Sequence, residues 1–433
     1  MSYYILPKIE TKFSIRPTLY NSMDNLQPHI SQSLVKYMTE SHSILEQQVD
    51  LEVNNSLTIK MMNQLIHTYD FLFCSVSGLN MSIGQPSAQY PVYYDIIEIY
   101  NTLKLYDGLP SDPIYVLCFG KSSSSVYDAI VSQRPDIHDQ PLIFDRLKSS
   151  HHLLGYSCTN MYDPLSTLNI PSTASHGCRV IYFEGIEKDY TDINRYTLYV
   201  IRAILCIYSY QSESGYAIIK IDAVLYKPII DLIYIISSMY EKIYIMKPNT
   251  SNIITDERYI ICKSFKNMST DMYNTILNVY YKLHKNKEDV IIESILANKI
   301  FYYFLNKLEE SNVIIGQQKL DAYGQIINLL KSRNKMEKMD ILQKHNIQKC
   351  MYWCEKYRVP YNKIGERSQL SIPCEENSTG DETVETTTDG LFYLYMERHY
   401  GIQSDSDDEH ENGIDSGMIN DNKIINYKRG YRD

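Results

Sequence analysis

Lys220 stands at the carboxyl end of an apolar run, where its amine could take part in chemistry. It ends the run 216–219, which begins after Gly215. Open α/β sheets place ligands and chemistry at the carboxyl ends of their strands. Two acidic residues stand beside similar runs: Glu184 follows the run 178–183, and Glu257 comes directly before the run 258–262. Buried ions at strand ends without catalytic use are the alternative interpretation, and these residues alone leave both open.

The segment 215–265 predicts the elements that would position these groups. A short β-rich run leads to Lys220, and Pro228 then opens a helix with apolar residues at helical spacing: Ile229, Leu232, Ile233, Ile236 and Met239. Runs of β-branched and aromatic residues at 242–246 and 258–262 predict two further strands, separated by turn residues. A strand-helix-strand unit that closes with a hairpin indicates the end of an open α/β sheet carrying one antiparallel strand.

This segment resembles the C-terminal half of the FtsJ/RrmJ-type ribose 2′-O-methyltransferases, which use S-adenosylmethionine and include many viral cap-methylating enzymes. In that family a strand that begins at a glycine ends in a catalytic lysine, and a later strand is headed by a catalytic glutamate. Here those features are Gly215, Lys220 and Glu257, with Tyr-Glu-Lys-Ile-Tyr-Ile-Met-Lys-Pro at 240–248. Order and spacing match over 215–265.

A second part of the resemblance concerns the cofactor loop. The buried strand 113–119 runs into Gly120 and four serines, and a helix follows. The resemblance places S-adenosylmethionine at this loop, with Cys118, Gly120, Ser122 and Ser123 as its binding residues. Serine hydroxyls and N–H groups at a helix start can contact a polar ligand. However, serines replace most of the family's glycines, so a serine-rich helix cap without a ligand is equally well supported.

The resemblance also assigns catalytic roles. The family uses a Lys-Asp-Lys-Glu set, in which the second lysine is the presumed base. By position its last three members are Glu184, Lys220 and Glu257, whereas Asp95 stands where the first lysine is expected. Three carboxylates around Lys220 would favour its protonated form and oppose a role as base. Activity is therefore left undecided by the sequence.

Composition limits the function classes. The chain has 433 residues and a net charge of −10, which argues against nucleic-acid binding through bulk positive charge but leaves room for a local basic groove. Its 40 Tyr against one Trp indicate A/T-rich codons, and we expect a large cytoplasmic DNA virus as the source. The nine scattered Cys indicate reduced thiols in a cytoplasmic setting, either the host cytoplasm or a virion. No signal peptide or membrane span is predicted.

No metal site is predicted. Cys350 and Cys354 stand four residues apart without a second pair, and the pair His151 and His152 has no third ligand at a suitable spacing. We interpret both cysteines as structural and both histidines as surface residues.

The predicted organisation has four parts: an N-terminal arm and helices (1–90), an FtsJ-like methyltransferase domain (91–266), a C-terminal helical extension (267–367) and a largely disordered acidic tail (368–433). Residues 131–177 read as irregular. Helices are expected at 272–283, 290–308, 317–331 and 340–356. The basic and aromatic residues of the extension suit either RNA or protein contact or a plain solvated face.

Two functions follow from these observations. The first is an S-adenosylmethionine-dependent RNA ribose 2′-O-methyltransferase that acts on capped mRNA. The second is a catalytically inactive methyltransferase fold that serves as a binding, regulatory or virion structural partner, for example in a capping complex. The predicted fold class is common to both: a Rossmann-like α/β sheet, mostly parallel with one antiparallel strand, with helical extensions and no membrane partner.

Overall fold

A mixed sheet of seven strands organises the part of the chain that the structure describes. The nine strands, in chain order, are β1 (Tyr3–Ile5), β2 (Ile15–Tyr20), β3 (Tyr115–Phe119), β4 (Gln140–Phe144), β5 (Cys178–Phe183), β6 (Gln211–Ile221), β7 (Tyr240–Met246), β8 (Arg258–Phe265) and β9 (Ile291–Leu296). The order across the large sheet is β1-β7-β8-β6-β5-β3-β4, and β2 pairs with β9 in a separate two-stranded sheet.

The computed structural model describes residues 3–9, 13–20, 27–51, 62–85, 88–144, 177–185, 190, 192–266, 268–285 and 291–363. All of them belong to one compact unit, Met1–Cys374. The histidine pair at 151–152 and the acidic tail at 368–433 lie outside the described residues. The division of the chain at residues 90, 266 and 367 stays a prediction.

Strand directions agree with a Rossmann-like sheet. The pairs β3–β4, β3–β5 and β5–β6 are parallel, and β8 runs antiparallel to both β6 and β7. We expected one antiparallel strand, but there are two, because β1 from the N-terminal arm adds antiparallel to β7 at the edge. The α/β class is confirmed at this level.

The helices of the described chain include α1 (Gln32–Leu51), α2 (Val92–Thr102), α3 (Ser123–Ser132), α4 (Ile193–Tyr210), α5 (Lys227–Met239), α6 (Thr270–Lys285), α7 (Tyr302–Leu330) and α8 (Lys335–Tyr357). They cover both faces of the sheet, so a central strand must be apolar on both sides. In β6, Ala217 and Ile219 join the core under α4, α5 and α6, whereas Tyr216 and Ile218 join the core under α2, α3 and α8.

Two predicted elements were wrong. Residues 131–177 were expected to be irregular, yet 140–144 form β4 beside β3. The helix expected at 290–308 is instead β9 followed by the start of α7 at Tyr302. The N–H groups of Ile295 and Leu296 in β9 donate hydrogen bonds to the buried carboxylate of Asp231 on α5, at 2.8 and 3.0 Å. That contact comes from a distant helix, and local spacing does not reveal it.

Among the described residues, no helix is long and apolar enough to cross a bilayer.

Candidate active site

The candidate catalytic residues lie at the carboxyl-terminal ends of the parallel strands. The strand order departs from β3 in both directions, toward β4 and toward β5, which makes this the switch point where open α/β sheets bind ligands. Gly120 follows β3 and Glu184 follows β5, while Lys220 is the next-to-last residue of β6. Glu257 directly precedes β8. Because β8 is antiparallel to β6, the start of β8 lies beside the carboxyl end of β6.

Lys220 lies between two carboxylates. Its Nζ is 3.0 Å from Glu257 Oε1 and 3.3 Å from Glu184 Oε1. The Lys220 and Glu184 side chains are 15% and 10% exposed, and the Glu257 side chain is 39% exposed. The structure therefore brings together all three residues that the sequence singled out. Glu257 is the member of this cluster most open to a ligand.

The pKa shifts of Lys220 and Glu257 favour the charged forms of these two residues. Burial opposes the positive charge of Lys220, but Glu257, Glu184 and Asp95 outweigh burial and raise the pKa of the amine above its usual range. For Glu257, burial likewise opposes the charge, and Lys220 and then Lys247 overcome it and lower the pKa of the carboxyl. Lys220 is therefore protonated at neutral pH.

Two tyrosines hold the backbone of Lys220. The hydroxyls of Tyr199 and Tyr190 donate hydrogen bonds to the Lys220 carbonyl, at 2.6 and 3.1 Å. The Tyr199 hydroxyl also lies 3.1 Å from the Phe183 carbonyl of β5, and Tyr190 receives a hydrogen bond from the N–H of Gly185. These tyrosines fix the ends of β5 and β6 relative to one another. Neither residue was predicted from the sequence, because nothing there distinguishes them among 40 tyrosines.

Glu184 also binds the predicted cofactor loop. Its Oε2 accepts hydrogen bonds from the backbone N–H of Ser122 at 3.0 Å and from the Ser122 hydroxyl at 2.5 Å. Gly120, at φ +120°, makes room for this contact. A Cβ built on Gly120 would lie 2.6 Å from Glu184 Cβ, closer than real side chains approach. Gly120 therefore serves the close approach of Glu184.

The residues assigned to S-adenosylmethionine fit that group only in part. The glycine turn lies at the expected place, between β3 and the start of α3. However, Cys118, Ser122 and Ser123 are buried, and the Ser123 hydroxyl donates to the Gly120 carbonyl at 2.6 Å. A cofactor that used the Ser122 N–H would have to displace Glu184. Within the described residues, no three His, Cys, Asp or Glu side chains group as a metal site would require.

Asp95, at the position of the expected lysine, belongs to a separate cluster of hydroxyl groups. Its carboxylate accepts hydrogen bonds from Thr250 Oγ1 at 2.5 Å, Tyr259 Oη at 2.7 Å and Ser251 Oγ at 2.8 Å. Burial raises its pKa, while these hydrogen bonds and Lys220 act in the opposite direction. Asp95 thus ties α2 to β8 and to the loop after β7, and it adds negative potential at Lys220.

Comparisons with known proteins show two similarities of different extent. No family model matches the chain. It is 22% identical over 336 residues to "Uncharacterized protein R383" of Acanthamoeba polyphaga mimivirus, covering 76% of this chain and 82% of that protein. It is 33% identical over 96 residues to a cap-specific mRNA (nucleoside-2′-O-)-methyltransferase 1 of Dictyostelium discoideum. That match spans 22% of this chain and 12% of the Dictyostelium protein. The chain is therefore similar to a viral protein and, in part, to a methyltransferase.

A second lysine stands beside Glu257. Lys247 follows β7 in the Lys-Pro pair, is 7% exposed, and donates from Nζ to the Thr255 carbonyl at 2.5 Å. Burial lowers its pKa to about 8. The contact closes the loop between β7 and β8, which carries Thr250, Ser251 and Glu257. The motif at 240–248 contains this lysine, but its position in the sequence predicted no role for it.

Proposed function

We propose that the chain is a methyltransferase-type protein directed at the ribose 2′-hydroxyl of RNA, acting on capped mRNA. The observation that carries this proposal is the position of the Lys220 amine, which lies 3.0 and 3.3 Å from two carboxylates at the carboxyl ends of the central strands. The partial similarity to a cap-specific methyltransferase supports the same class.

The electrostatics of the cluster suit orientation of a hydroxyl group. Because Lys220 keeps its proton, its ammonium donates a hydrogen bond to the 2′-oxygen and holds that oxygen for attack. The proton of the hydroxyl then needs another acceptor. Of the two carboxylates beside Lys220, Glu257 has the more exposed side chain and is the acceptor we propose. A carboxylate with a lowered pKa is sufficient if the proton leaves late, since the 2′-oxygen becomes a strongly acidic protonated ether once it has bonded to the transferred methyl carbon. S-adenosylmethionine, when bound, would supply an electrophilic methyl group on sulfur, and the Gly120–Ser123 loop would hold it once Glu184 has released the Ser122 N–H.

A second function, a catalytically inactive subunit that binds RNA or a protein of a capping complex or virion, is favoured by one specific observation. Glu184 takes both the N–H and the hydroxyl of Ser122, so the loop that would hold the cofactor binds the protein's own carboxylate. The aspartate at 95 points the same way, because it adds negative charge where the resemblance expects positive charge.

Methyl transfer from labelled S-adenosylmethionine to capped RNA tests the proposal. The wild-type chain should label this RNA and leave untouched a matched RNA that carries 2′-deoxyribose at its first nucleotides. Lys220→Ala and Glu257→Gln should each lower the rate by about 100-fold or more, since each removes a group that positions or deprotonates the hydroxyl. Lys242→Ala, an exposed lysine on β7, is the matched control and should retain the wild-type rate.

The two functions give different outcomes in the same experiment. Calorimetric titration with S-adenosylmethionine accompanies the transfer assay. RNA binding without cofactor binding or transfer would overturn the catalytic proposal and support the inactive subunit. Transfer that survives Lys220→Ala would also overturn the assignment of this site.

A further inference from the structure

The exposed edge of α8 carries a line of basic and aromatic residues that the candidate active site does not use. Six residues recur there at spacings of three and four, which places them on one side of a helix. We call them the α8 stripe: Lys338, Ile341, His345, Lys349, Tyr352 and Lys356, all exposed. Tyr352 and Ile341 are 69% and 61% exposed. No acidic residue lies on this line.

The lysines of the stripe lack the partners that a helix surface usually provides. Glu–Lys pairs three or four residues apart are the common way in which an exposed helix face is stabilised. Lys338, Lys349 and Lys356 have no Asp or Glu at those spacings in the sequence. They also form no ion pair with any residue that the structure describes, and Lys356 Nζ lies 4.9 Å from the centroid of the Tyr357 ring. The surrounding segment 331–358 holds eight Lys or Arg against three Asp or Glu, in a chain whose net charge is −10.

The other face of α8 connects the stripe to the candidate active site. Trp353, next to Tyr352 in sequence, donates from its indole to Glu98 Oε2 at 3.4 Å. Glu98 lies on α2 near Asp95, and its other oxygen accepts from the Asn249 side chain at 2.8 Å, in the loop after β7. The C-terminal end of the stripe is therefore on the helix that packs behind the Asp95 cluster.

We infer that the α8 stripe binds single-stranded RNA, with its lysines against phosphates and Tyr352 against a base. Cations without acidic partners, beside an exposed aromatic ring, are the combination that binds single strands without sequence preference. From Lys338 to Lys356 the helix rises about 27 Å, at 1.5 Å per residue. That is enough for a site of about four nucleotides. The choice of RNA among polyanions rests on the proposed function.

Fluorescence anisotropy with the full-length chain tests the inference. The probe is a labelled, uncapped, single-stranded RNA of about 20 nucleotides, titrated without S-adenosylmethionine between about 50 and 200 mM salt. The triple variant Lys338→Gln, Lys349→Gln and Lys356→Gln should bind about tenfold more weakly or worse at low salt. Its plot of log affinity against log salt should be shallower by about 2, from ~0.7 for each lost phosphate contact.

A charge-matched triple variant separates the stripe from bulk charge. Lys36→Gln, Lys242→Gln and Lys299→Gln remove the same charge from exposed positions elsewhere and should bind RNA like the wild type. Equal losses in both triples, an unchanged stripe triple, or no binding by the wild-type chain at about 10 μM would each overturn the inference. Circular dichroism of each variant verifies that it is folded.

Tyr352 provides a test that does not depend on charge. Tyr352→Ala should weaken binding by about tenfold through lost stacking and leave the salt slope unchanged, and Tyr352→Phe should restore binding. A Tyr352→Ala chain that binds like the wild type contradicts the base contact.

The transfer assay distinguishes the two proposals. Stripe-dependent RNA binding without methyl transfer would overturn the catalytic proposal alone. Methyl transfer by the stripe triple with an unchanged KM for RNA would overturn the stripe alone.

Discussion

The Glu184 carboxylate lies between the catalytic lysine candidate and Ser122: Oε1 is 3.3 Å from Lys220 Nζ, and Oε2 accepts the Ser122 N–H at 3.0 Å. The resemblance expects an aspartate at this position, one methylene shorter. The longer side chain reaches the start of α3 without giving up Lys220. Glu184 thus couples the proposed hydroxyl site to the proposed cofactor loop, and it occupies a donor that a cofactor would need.

Shortening this side chain should therefore free the loop. We expect Glu184→Asp to keep the ion pair with Lys220, to lose the bond to Ser122 and to bind S-adenosylmethionine more tightly than the wild type. Glu184→Gln is the control, because its amide retains the length and an oxygen that can accept from Ser122. Isothermal titration of the three proteins decides the matter, and equal affinities for Glu184→Asp and the wild type would contradict the role given to this contact.

Removing the Lys220 amine should destabilise the fold. Lys220→Met leaves Glu184 and Glu257 without their common cation, and breaking a buried ion network in this way costs about 3 kcal/mol. Urea unfolding at neutral pH measures the difference. Lys36→Met is the matched control: Lys36 is 75% exposed and 4.0 Å from Glu40, so its loss should change the free energy of unfolding by less than about 0.5 kcal/mol. Comparable losses for both variants would argue against a coupled cluster.

The sequence was a good guide where local pattern and topology agree. The runs that lead to Glu184 and Lys220, and the run that begins after Glu257, predicted where strands end and start, and parallel pairing of β5 and β6 brings the first two residues together. The antiparallel pairing of Lys220 with Tyr259 then sets Glu257 beside them. Periodicity and strand order are enough to anticipate this much, because they determine which edge each strand end occupies.

Periodicity and strand order do not reveal contacts between distant segments of the chain. The hydroxyl cluster of Asp95 joins residues more than 150 positions apart in sequence, and the N–H groups of β9 bind Asp231 on α5. Neither has a local signature, so a change of charge at 95 could be seen while its partners could not. The same reason explains why 290–308 was predicted as helix: its β-branched residues become a strand only through pairing with β2.

Asp95 should prove structural. Asp95→Ala removes the common acceptor of three buried hydroxyls, on Thr250, Ser251 and Tyr259. Thr250 keeps a second acceptor, Glu98 Oε2 at 3.2 Å, whereas Ser251 and Tyr259 lose their bonds at a cost of about 1 kcal/mol or more for each. We expect a loss of about 2 kcal/mol in the free energy of unfolding, measured in urea. Asp136→Ala, at an exposed position after α3, is the control and should be close to neutral. A neutral Asp95→Ala would mean that these hydroxyls find other acceptors.

Lys247 should make stability depend on alkaline pH. Its pKa is about 8 in the folded chain, because burial disfavours its charge, and about 10.4 when unfolded. Between those values the unfolded chain binds more protons, so the free energy of unfolding rises with pH. Relative to Lys247→Met, the wild type should gain about 2 kcal/mol from pH ~7.5 to ~9.5. Urea unfolding of both proteins at the two pH values measures this, because titrations that the two proteins share cancel in the difference.

Lys36→Met is the control: its free energy of unfolding should differ from that of the wild type by the same amount at both pH values. A difference that is likewise constant for Lys247→Met would show that Lys247 is not held in a desolvated site.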